Sequence, residues 1–513
     1  MRHPVSSSGT GKLQCAWGRL QAAGDWSPCR IRLKPDMKRL ALIALSLSLM
    51  AGTGNATLPR PIARAFLSAG VPLTAVGVVV QEVGDTRPLF VHQPGRAYSP
   101  ASVMKLVTTF SALEILGPEY RWKTSAYLDG PLIDGVLRGN LVLKGSGDPK
   151  ITLEQWQAFM AALRAKGLAA IEGELVLDRS AFAPIAHDPS AFDGEPQKPY
   201  NVGPDALLVN FKSVRFVFAP GPFADTTLVT MEPQLRHVFV GARPMLSAGE
   251  CGDWRATLGA TFVDHGMNAE AEFRGRYPAS CGGRDWWVSL LDHPTYVGAM
   301  FDTYFRAAGG RFAGGWTPGV VPARATPFAT LESPPLWDIV RDVNKTSNNV
   351  MARQIFLTLA TIGTSSPATT ARATATVRAW LARRNLKMPE LVLDNGSGLS
   401  RRERISAGSL GRLLLAADGS AVREEFASSL AVAAMDGTLQ RRFQNGTVAG
   451  QALLKTGTLE GVRALAGYVI DNQGRRFVVV AIVNHANAAR AQSALDFLVQ
   501  WVYRDGAGWA PPH

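Results

Sequence analysis

Three short motifs carry residue types that could do chemistry together. In chain order they are Ser102-Val103-Met104-Lys105, Ser347-Asn348-Asn349 and Lys455-Thr456-Gly457-Thr458. A serine can act as nucleophile, a lysine and a second serine can carry protons, and an asparagine can bind an amide. A cationic lysine beside threonine hydroxyls can bind a carboxylate. This set suits acyl transfer on a peptide that ends in a free carboxylate.

The first motif places a serine and a lysine on one face of a predicted helix. Ser102 and Lys105 are three residues apart, and Gly117-Pro118 ends the apolar stripe that follows them. We expect Ser99 or Ser102 to cap the helix start. Lys105 can take the serine proton only when neutral, and burial with a nearby cation, for which Lys455 is the candidate, would lower its pKa. Taken alone, an S-x-x-K pair is more often a capped helix with a solvent-facing lysine.

The third motif is predicted to lie on a strand. Apolar runs flank it, and Asp471-Asn472-Gln473-Gly474 reads as a hairpin turn between the two runs that follow. Gly457 would allow a substrate backbone to approach the strand closely. Lys455 and the hydroxyls of Thr456 and Thr458 would then form a carboxylate socket. The alternative is an edge-strand lysine that discourages aggregation.

The middle motif is predicted to form a bend between two helices, because both flanks have helical periodicity. A bend would project Ser347 and Asn349 into a cleft, where Ser347 could pass a proton to a leaving amine and Asn349 could hold a substrate amide. An ordinary helix–helix turn is the alternative. The order of all three motifs, in suitable elements, favours a site.

With these motifs the chain resembles the D-alanyl-D-alanine carboxypeptidase/endopeptidases among the class C, low-molecular-mass penicillin-binding proteins. The resemblance runs from about residue 58 to about residue 503. Four further stretches carry it: Gly145-Ser146-Gly147-Asp148-Pro149, Asp394-Asn395-Gly396-Ser397-Gly398-Leu399-Ser400-Arg401, Met435-Asp436-Gly437-Thr438-Leu439 and Leu459-Glu460-Gly461-Val462.

The resemblance implies a role for each motif residue. Ser102 would be the acyl-ester nucleophile and Lys105 the proton acceptor. Ser347 would be a third catalytic residue and Lys455 a substrate-binding residue. The backbone N–H groups of Ser102 and Thr458 would form the oxyanion hole.

The same resemblance implies a serine D-Ala-D-Ala carboxypeptidase, a D,D-endopeptidase, or both. Such an enzyme acts on peptidoglycan stem peptides through an acyl-enzyme, and β-lactam antibiotics acylate and inhibit it. A β-lactamase is an alternative, although no stretch of sequence offers a second carboxylate for deacylation. A non-catalytic penicillin-binding or wall-sensing module and a cross-linking transpeptidase also stay open, because related sites occur on proteins with different functions.

Composition and spacing predict an α+β fold with an insertion. The 513 residues are 46% hydrophobic and 19% charged, which excludes a disordered chain. We expect a catalytic domain like those of serine β-lactamases and penicillin-binding proteins, a five-stranded antiparallel sheet flanked by helices, in residues 57–125 and 322–513. Its C-terminal helix would cover one face and the Ser102 helix the other. The resemblance further implies that an inserted domain (126–208 and 282–321) encloses an inner β-rich module (209–281).

The N-terminus is predicted to be a targeting segment. Met37-Lys38-Arg39 precedes a mostly apolar run that ends in small residues, so residues 37–56 read as a signal peptide cut after Ala56. Residues 1–36 read as a spurious extension of the reading frame. A retained membrane anchor is the alternative. A signal peptide implies export across the inner membrane to the periplasm.

The remaining composition bears on partners and cofactors. Residues 1–56 hold eight Lys or Arg and two Asp or Glu, so the net charge falls from +13 to +7 without them. That charge suits an anionic wall or peripheral contact with a membrane, and no pattern indicates nucleic-acid binding. No metal or cofactor is expected. In an exported chain Cys251 and Cys281 invite one disulfide, as the resembled family also implies, with two buried thiols as the alternative.

Overall fold

The structure is a computed structural model that describes residues 58–506, apart from residues 224 and 445, and residue 508. The predicted signal peptide and extension, residues 1–56, lie outside the described residues. The α-helices within the described part are α1 Arg60–Ser68, α2 Lys105–Leu116, α3 Leu153–Ala165, α4 His293–Ala307, α5 Leu336–Thr346, α6 Asn349–Thr358, α7 Thr370–Arg383, α8 Ala407–Asp418, α9 Arg423–Ser428 and α10 Gln492–Asp505. No described helix is long and apolar enough to cross a membrane.

The strands fall into two groups along the chain. Those of the inserted region are β3 Lys123–Asp129, β4 Leu132–Ile133, β5 Val136–Leu137, β6 Asn140–Lys144, β7 Ala170–Ile171, β8 Leu175–Asp178, β9 Val214–Pro220, β10 Thr227–Glu232, β11 Val238–Val240, β12 Met245–Ser247, β13 Leu258–Asp264, β14 Ala269–Pro278, β15 Arg284–Val288, β16 Arg311–Phe312, β17 Trp316–Gly319 and β18 Thr326–Glu332. Those outside it are β1 Val76–Glu82, β2 Phe90–His92, β19 Ala431–Val432, β20 Ala452–Leu459, β21 Val462–Ile470 and β22 Arg476–Asn484.

The second group forms one antiparallel sheet in the order β19-β20-β21-β22-β1-β2. It contains the five predicted strands and, at one edge, the two-residue strand β19. The predicted hairpin turn joins β21 to β22, where the Asp471 carboxylate accepts hydrogen bonds from the backbone N–H groups of Gln473 and Arg475. Two strands far apart in sequence are therefore neighbours in the sheet, because β1 pairs with β22 along its whole length.

Both faces of this sheet are buried, and side chains alternate between two cores. On β22, Val479 and Ala481 pack with α1 and α10, whereas Val480 and Ile482 pack with the helices that include α2. The C-terminal helix and the Ser102 helix thus cover opposite faces, as predicted. Double-sided burial explains the almost continuous apolar composition of β21 and β22.

Helix α2 begins differently from the prediction. Neither Ser99 nor Ser102 caps it; residues Ala101–Met104 form a 3₁₀ turn that leads directly into the helix. A side-chain cap has no place there, because the backbone carbonyl of Ser102 already accepts a bond from the N–H of Lys105. The helix ends at the predicted glycine, Gly117, whose φ of 85° suits a residue without a side chain.

The inserted region has its own apolar core, built from α3, α4 and four smaller sheets. The strand orders are β17-β8-β6-β3-β18, β16-β7-β5-β4, β10-β9-β15, and β11-β14-β12 with β13 beside β14. Cys251 and Cys281 form the predicted disulfide, with their Cα atoms 4.7 Å apart. Strand β3 runs across the expected boundary at residue 125, and β18, which begins beyond the expected boundary at residue 322, pairs with β3. The proposed division into domains stays a prediction.

Candidate active site

The Ser102 turn is held between a strand and a loop. Ala101, directly before the serine, has a φ of 49°, a strained conformation for a residue with a side chain. A Cβ atom added to Gly457 on β20 would lie 2.7 Å from the carbonyl oxygen of Pro100, and one added to Gly398 would collide with the backbone of Ala101. The lack of a side chain at Gly457 therefore makes room for the protein's own Ser102 turn.

Lys105 lies on α2 one turn after Ser102 and is fully buried. Its Nζ atom is 3.1 Å from the Oγ atom of Ser102, 2.6 Å from Oδ1 of Asn349 and 2.5 Å from the carbonyl oxygen of Ser397. The last two atoms can only accept hydrogen bonds from an amine. These two acceptors use both hydrogens of a neutral Lys105 amine. The fourth tetrahedral position of the nitrogen, which holds the lone pair, then faces the hydroxyl of Ser102.

Several effects set the pKa of Lys105. Burial lowers it well below its ordinary value, and the charge of Lys455 lowers it further. The Glu403 carboxylate acts in the opposite direction, and the Arg353 guanidinium again lowers the pKa. The balance favours a neutral amine, the form that can accept the proton of Ser102.

The middle motif forms the predicted bend, between α5 and α6. Ser347 has left-handed backbone dihedral angles, with a φ of 61°, and Asn348 caps α6 by accepting a hydrogen bond from the backbone N–H of Met351. Asn349 opens that helix. Because Lys105 occupies its amide oxygen, its amide nitrogen is the atom left to bond a substrate carbonyl.

Lys455 on β20 reaches the same bend. Its Nζ atom donates to the Oγ atom of Ser347 at 2.8 Å and to the carbonyl oxygen of Thr456 at 3.0 Å. Burial lowers the pKa of Lys455 to about 7. Near neutral pH this lysine can therefore either carry a charge for a carboxylate or exchange a proton with Ser347.

These groups face one cleft of about 740 Å³. Five of the predicted site residues line it: Ser102, Ser347, Asn349, Thr456 and Thr458. The three others lie directly behind, with Lys105 and Lys455 bonded to its two serines and Gly457 against the Ser102 turn. The structure thus brings together all eight predicted residues, whose roles stay predictions.

The opposite wall of the cleft comes from the inserted region and from the loop after α7. The Arg401 guanidinium lies 4.6 Å from the centre of the Phe192 ring, and the hydroxyl of Tyr200 donates to the Asp193 carboxylate at 2.7 Å. Arg401 also faces Glu460, at 3.9 Å. This wall carries an aromatic surface and both signs of charge.

Sequence reasoning missed three residues that support the site. The Ser397 carbonyl bonds Lys105, Glu403 bonds the loop that carries Ser397, and the Thr438 hydroxyl accepts a bond from Thr456 at 2.9 Å. Ser397 and Thr438 lie in two of the stretches that carry the family resemblance, but nothing in the residue types showed which of their groups face the site.

Comparison with known proteins shows what the whole chain is similar to. The sequence model of the D-Ala-D-Ala carboxypeptidase 3 (S13) family matches residues 63–504. The chain is 28% identical over 455 residues to the D-alanyl-D-alanine carboxypeptidase of Actinomadura sp. strain R39, covering 85% of this chain and 82% of the relative. It is 22% identical over 424 residues to DacB of Haemophilus influenzae, covering 80% of this chain and 85% of the relative.

A solved structure supports the fold. Penicillin-binding protein 4 of Haemophilus influenzae superposes with a TM-score of 0.72 at 20% sequence identity, covering 86% of this chain and all of the other. That protein has also been solved with a β-lactam, with a TM-score of 0.70 to this chain at 20% identity over 87% of this chain and all of that one. The likeness confirms the predicted fold class. Because the family match spans most of its length, the chain belongs to the D-Ala-D-Ala carboxypeptidase 3 (S13) family, and the predicted enzyme class, a D-Ala-D-Ala carboxypeptidase, is confirmed.

Proposed function

We propose that this enzyme hydrolyses D-Ala-D-Ala bonds and D,D-cross-links in peptidoglycan stem peptides through an acyl-enzyme on Ser102. The observation that carries the proposal is the hydrogen-bond geometry of Lys105. Two acceptors, Asn349 and Ser397, direct its third position at the serine hydroxyl 3.1 Å away. A buried neutral amine in that position is a general base for the attack.

The first half of the reaction forms the ester. The terminal carboxylate of the stem peptide binds Lys455, Thr456 and Thr458. Lys105 takes the proton of Ser102, whose Oγ atom attacks the carbonyl carbon between the last two residues. The backbone N–H groups of Ser102 and Thr458 stabilise the oxyanion, and such donors are each worth about 2.7–4 kcal/mol in related reactions.

The second half releases the products. Ser347, bonded to Lys455, passes a proton to the leaving amine, which is D-alanine or the second stem of a cross-link. Water then attacks the ester: its hydroxyl group stays on the acyl carbon, its proton restores the hydroxyl of Ser347, and Ser102 leaves with the proton that Lys105 held. A β-lactam follows the same first half and remains bound as an ester of Ser102, so we propose β-lactams as inhibitors.

The β-lactamase alternative is less well supported. Of the carboxylates that line the described cleft, Asp193 is already bonded to Tyr200 and Asn201. The Glu460 side chain is 92% exposed and lies 3.9 Å from the Arg401 guanidinium. Neither arrangement resembles a general base that would drive rapid deacylation.

The proposed substrate fixes the proposed location. Peptidoglycan lies outside the cytoplasmic membrane, so we propose export through the predicted signal peptide to the periplasm, with contact to the wall or membrane through the net positive charge. Peptidoglycan stem peptides are the proposed partners, and nucleic acid is not among them.

One experiment tests the proposal. The mature enzyme and the Ser102→Ala variant are incubated with purified muropeptides, and mass spectrometry reads which bond breaks. We expect release of terminal D-alanine, separation of cross-linked dimers, and a stable penicillin ester on the wild-type enzyme alone. Labelling of the Ser102→Ala variant, or rapid turnover of penicillin, would contradict the proposal.

A further inference from the structure

Glu403 is a fully buried carboxylate outside the three motifs. Its Oε1 atom accepts hydrogen bonds from the backbone N–H groups of Asp394, Asn395 and Gly396, at 3.2, 3.0 and 2.7 Å. Its Oε2 atom accepts from the N–H of Gly398 at 2.8 Å. Four backbone donors thus converge on one side chain. We call residues 394–398 the base loop.

The base loop touches the nucleophile and the base at once. The carbonyl of Ser397 accepts from Lys105 at 2.5 Å, and the carbonyl of Gly396 accepts from the hydroxyl of Thr108, one turn further along α2, at 2.6 Å. Gly398, with a φ of 82°, packs so closely that an added Cβ atom would lie 2.8 Å from the Cα atom of Ser102. A shift of this loop would therefore move both reacting groups.

We propose that Glu403 is a positioning residue for the reaction, which fixes the Ser397 carbonyl so that the lone pair of Lys105 points at Ser102. Further bonds hold the base loop, between the Asn395 side chain and Ser397 within it and from the Thr108 hydroxyl to the Gly396 carbonyl. Glu403 differs from these groups because it binds four backbone N–H groups of the loop at once. The inference rests on the proposed function, because it requires Lys105 to be the base.

The charge of Glu403 has a separate, measurable effect. All four of its bonds are accepted from N–H donors, so the loop fits the ionised carboxylate. Burial raises the pKa of Glu403, and the backbone N–H groups oppose that rise. The charged groups around the cluster are Lys105 on α2, Arg353 on α6, Asp394 on the base loop and Lys455 on β20.

The two effects predict a distinct signature for Glu403→Gln. The glutamine keeps the shape but sets an N–H group against donors, so the rate constant of Ser102 acylation should fall about tenfold to hundredfold, as for a misplaced catalytic group. Loss of the negative charge stabilises the neutral form of Lys105. In a plot of acylation rate against pH, the low-pH part where the rate rises as Lys105 loses its proton is called here the acidic limb. This limb should then move to lower pH by about one unit.

The experiment measures acylation by a fluorescent penicillin against pH, with non-covalent affinity and acylation rate resolved by stopped flow. Glu390→Gln is the matched control, because Glu390 also accepts from a backbone N–H, that of Ser406 at 3.1 Å, and from the hydroxyl of Ser409, without touching Lys105. We expect the control to lower thermal stability without moving the acidic limb. An unchanged limb and rate in a folded Glu403→Gln variant would overturn the inference.

Two further outcomes keep the test decisive. If Glu403→Gln does not fold, Glu403→Asp keeps the charge but shortens the reach, so the acylation rate should fall while the acidic limb stays in place; an unchanged rate overturns the inference. If wild-type enzyme is not acylated on Ser102, the proposed function itself fails. Normal acylation of the wild type with no difference in the Glu403 variants removes the positioning role alone.

Discussion

The site contains two fully buried lysines in contrasting surroundings. Lys105 bonds three oxygen atoms, one of them on the nucleophile, and lies near the Glu403 carboxylate. Lys455 bonds the hydroxyl of Ser347 and a backbone carbonyl of its own strand. Burial lowers the pKa of both, but only for Lys105 does a second lysine lower it further.

The contrast explains how one residue type can serve two purposes. The charge of Lys455 favours the neutral form of the amine at position 105, and in the proposed mechanism only that form can take the proton of a serine. Because the two side chains come from a helix and from a distant strand, their roles can be separated by substitution. Four measurements test that separation, from the largest expected effect to the smallest.

Removing the base should have the largest effect. Lys105→Met keeps an unbranched, buried side chain but cannot accept a proton, so we expect the acylation rate to fall by about 10²–10⁴-fold. Lys212→Met is the matched control. Lys212 is half-buried, with its pKa lowered to about 8 by desolvation, and it bonds the carbonyl of Leu291 away from the residues that line the cleft. Stopped-flow acylation of both variants checks this, and equal losses would mean that the effect is structural.

Removing the second lysine should depend on the substrate. Lys455→Ala loses a charge-assisted bond to the terminal carboxylate, so kcat/KM for a peptide ending in D-Ala-D-Ala should fall about tenfold to hundredfold more than for its C-terminal amide. The comparison of the two peptides is its own control. Equal losses on both would show that Lys455 serves the proton transfer and not the carboxylate.

The two lysines should also give the two limbs of the pH profile. In the proposed mechanism activity requires neutral Lys105, so kcat/KM should rise as pH passes upward through the lowered pKa of that group. Lys455 is charged below its pKa of about 7, so with a carboxylate substrate kcat/KM should fall again as pH rises above that value. The amidated peptide should lack the alkaline limb. An alkaline limb of equal size with both peptides would contradict the assignment.

The smallest effect should come from the rim of the socket. Thr438→Val keeps the shape but removes the hydroxyl that accepts from Thr456 at 2.9 Å, so KM should rise about twofold to fivefold with kcat unchanged. Thr330→Val, which removes a hydroxyl bonded to Ser125 in the inserted region, is the control and should leave KM unchanged. A change in kcat for Thr438→Val would place this residue in the chemistry.

The sequence was informative where function depends on side-chain type and spacing. Ser102 and Lys105 are adjacent because a helical turn brings residues three apart together, and the hairpin after Lys455 was predictable from its turn residues and apolar runs. The bend at Ser347 was predictable from its helical flanks. Each of these features follows from the local sequence, so predicting it requires no knowledge of contacts between distant residues.

Most of the features that sequence reasoning missed depend on backbone groups, and the hydroxyl of Thr438 is the exception. The carbonyl of Ser397 would exist whatever residue stood there, and Glu403 looks like one more charged residue in the arginine-rich stretch 401–404. The cap expected from Ser99 or Ser102 was wrong for the same reason, since backbone carbonyls of the 3₁₀ turn already meet the helical N–H groups. Strand β19 has two residues, which is too short for the alternation of apolar and polar residues that predicts a strand.

The packing of Gly398 and Gly457 against the Ser102 turn bears on how this enzyme can diversify. Any side chain at either position would separate the turn from its supports, so these two positions on one side of the cleft have almost no freedom to accept mutations. New substrate preferences should therefore arise on the other side, at residues such as Phe192, Tyr200 and Arg401, whose side chains already line the cleft. Laboratory evolution that randomises both sides should recover its active clones from the second.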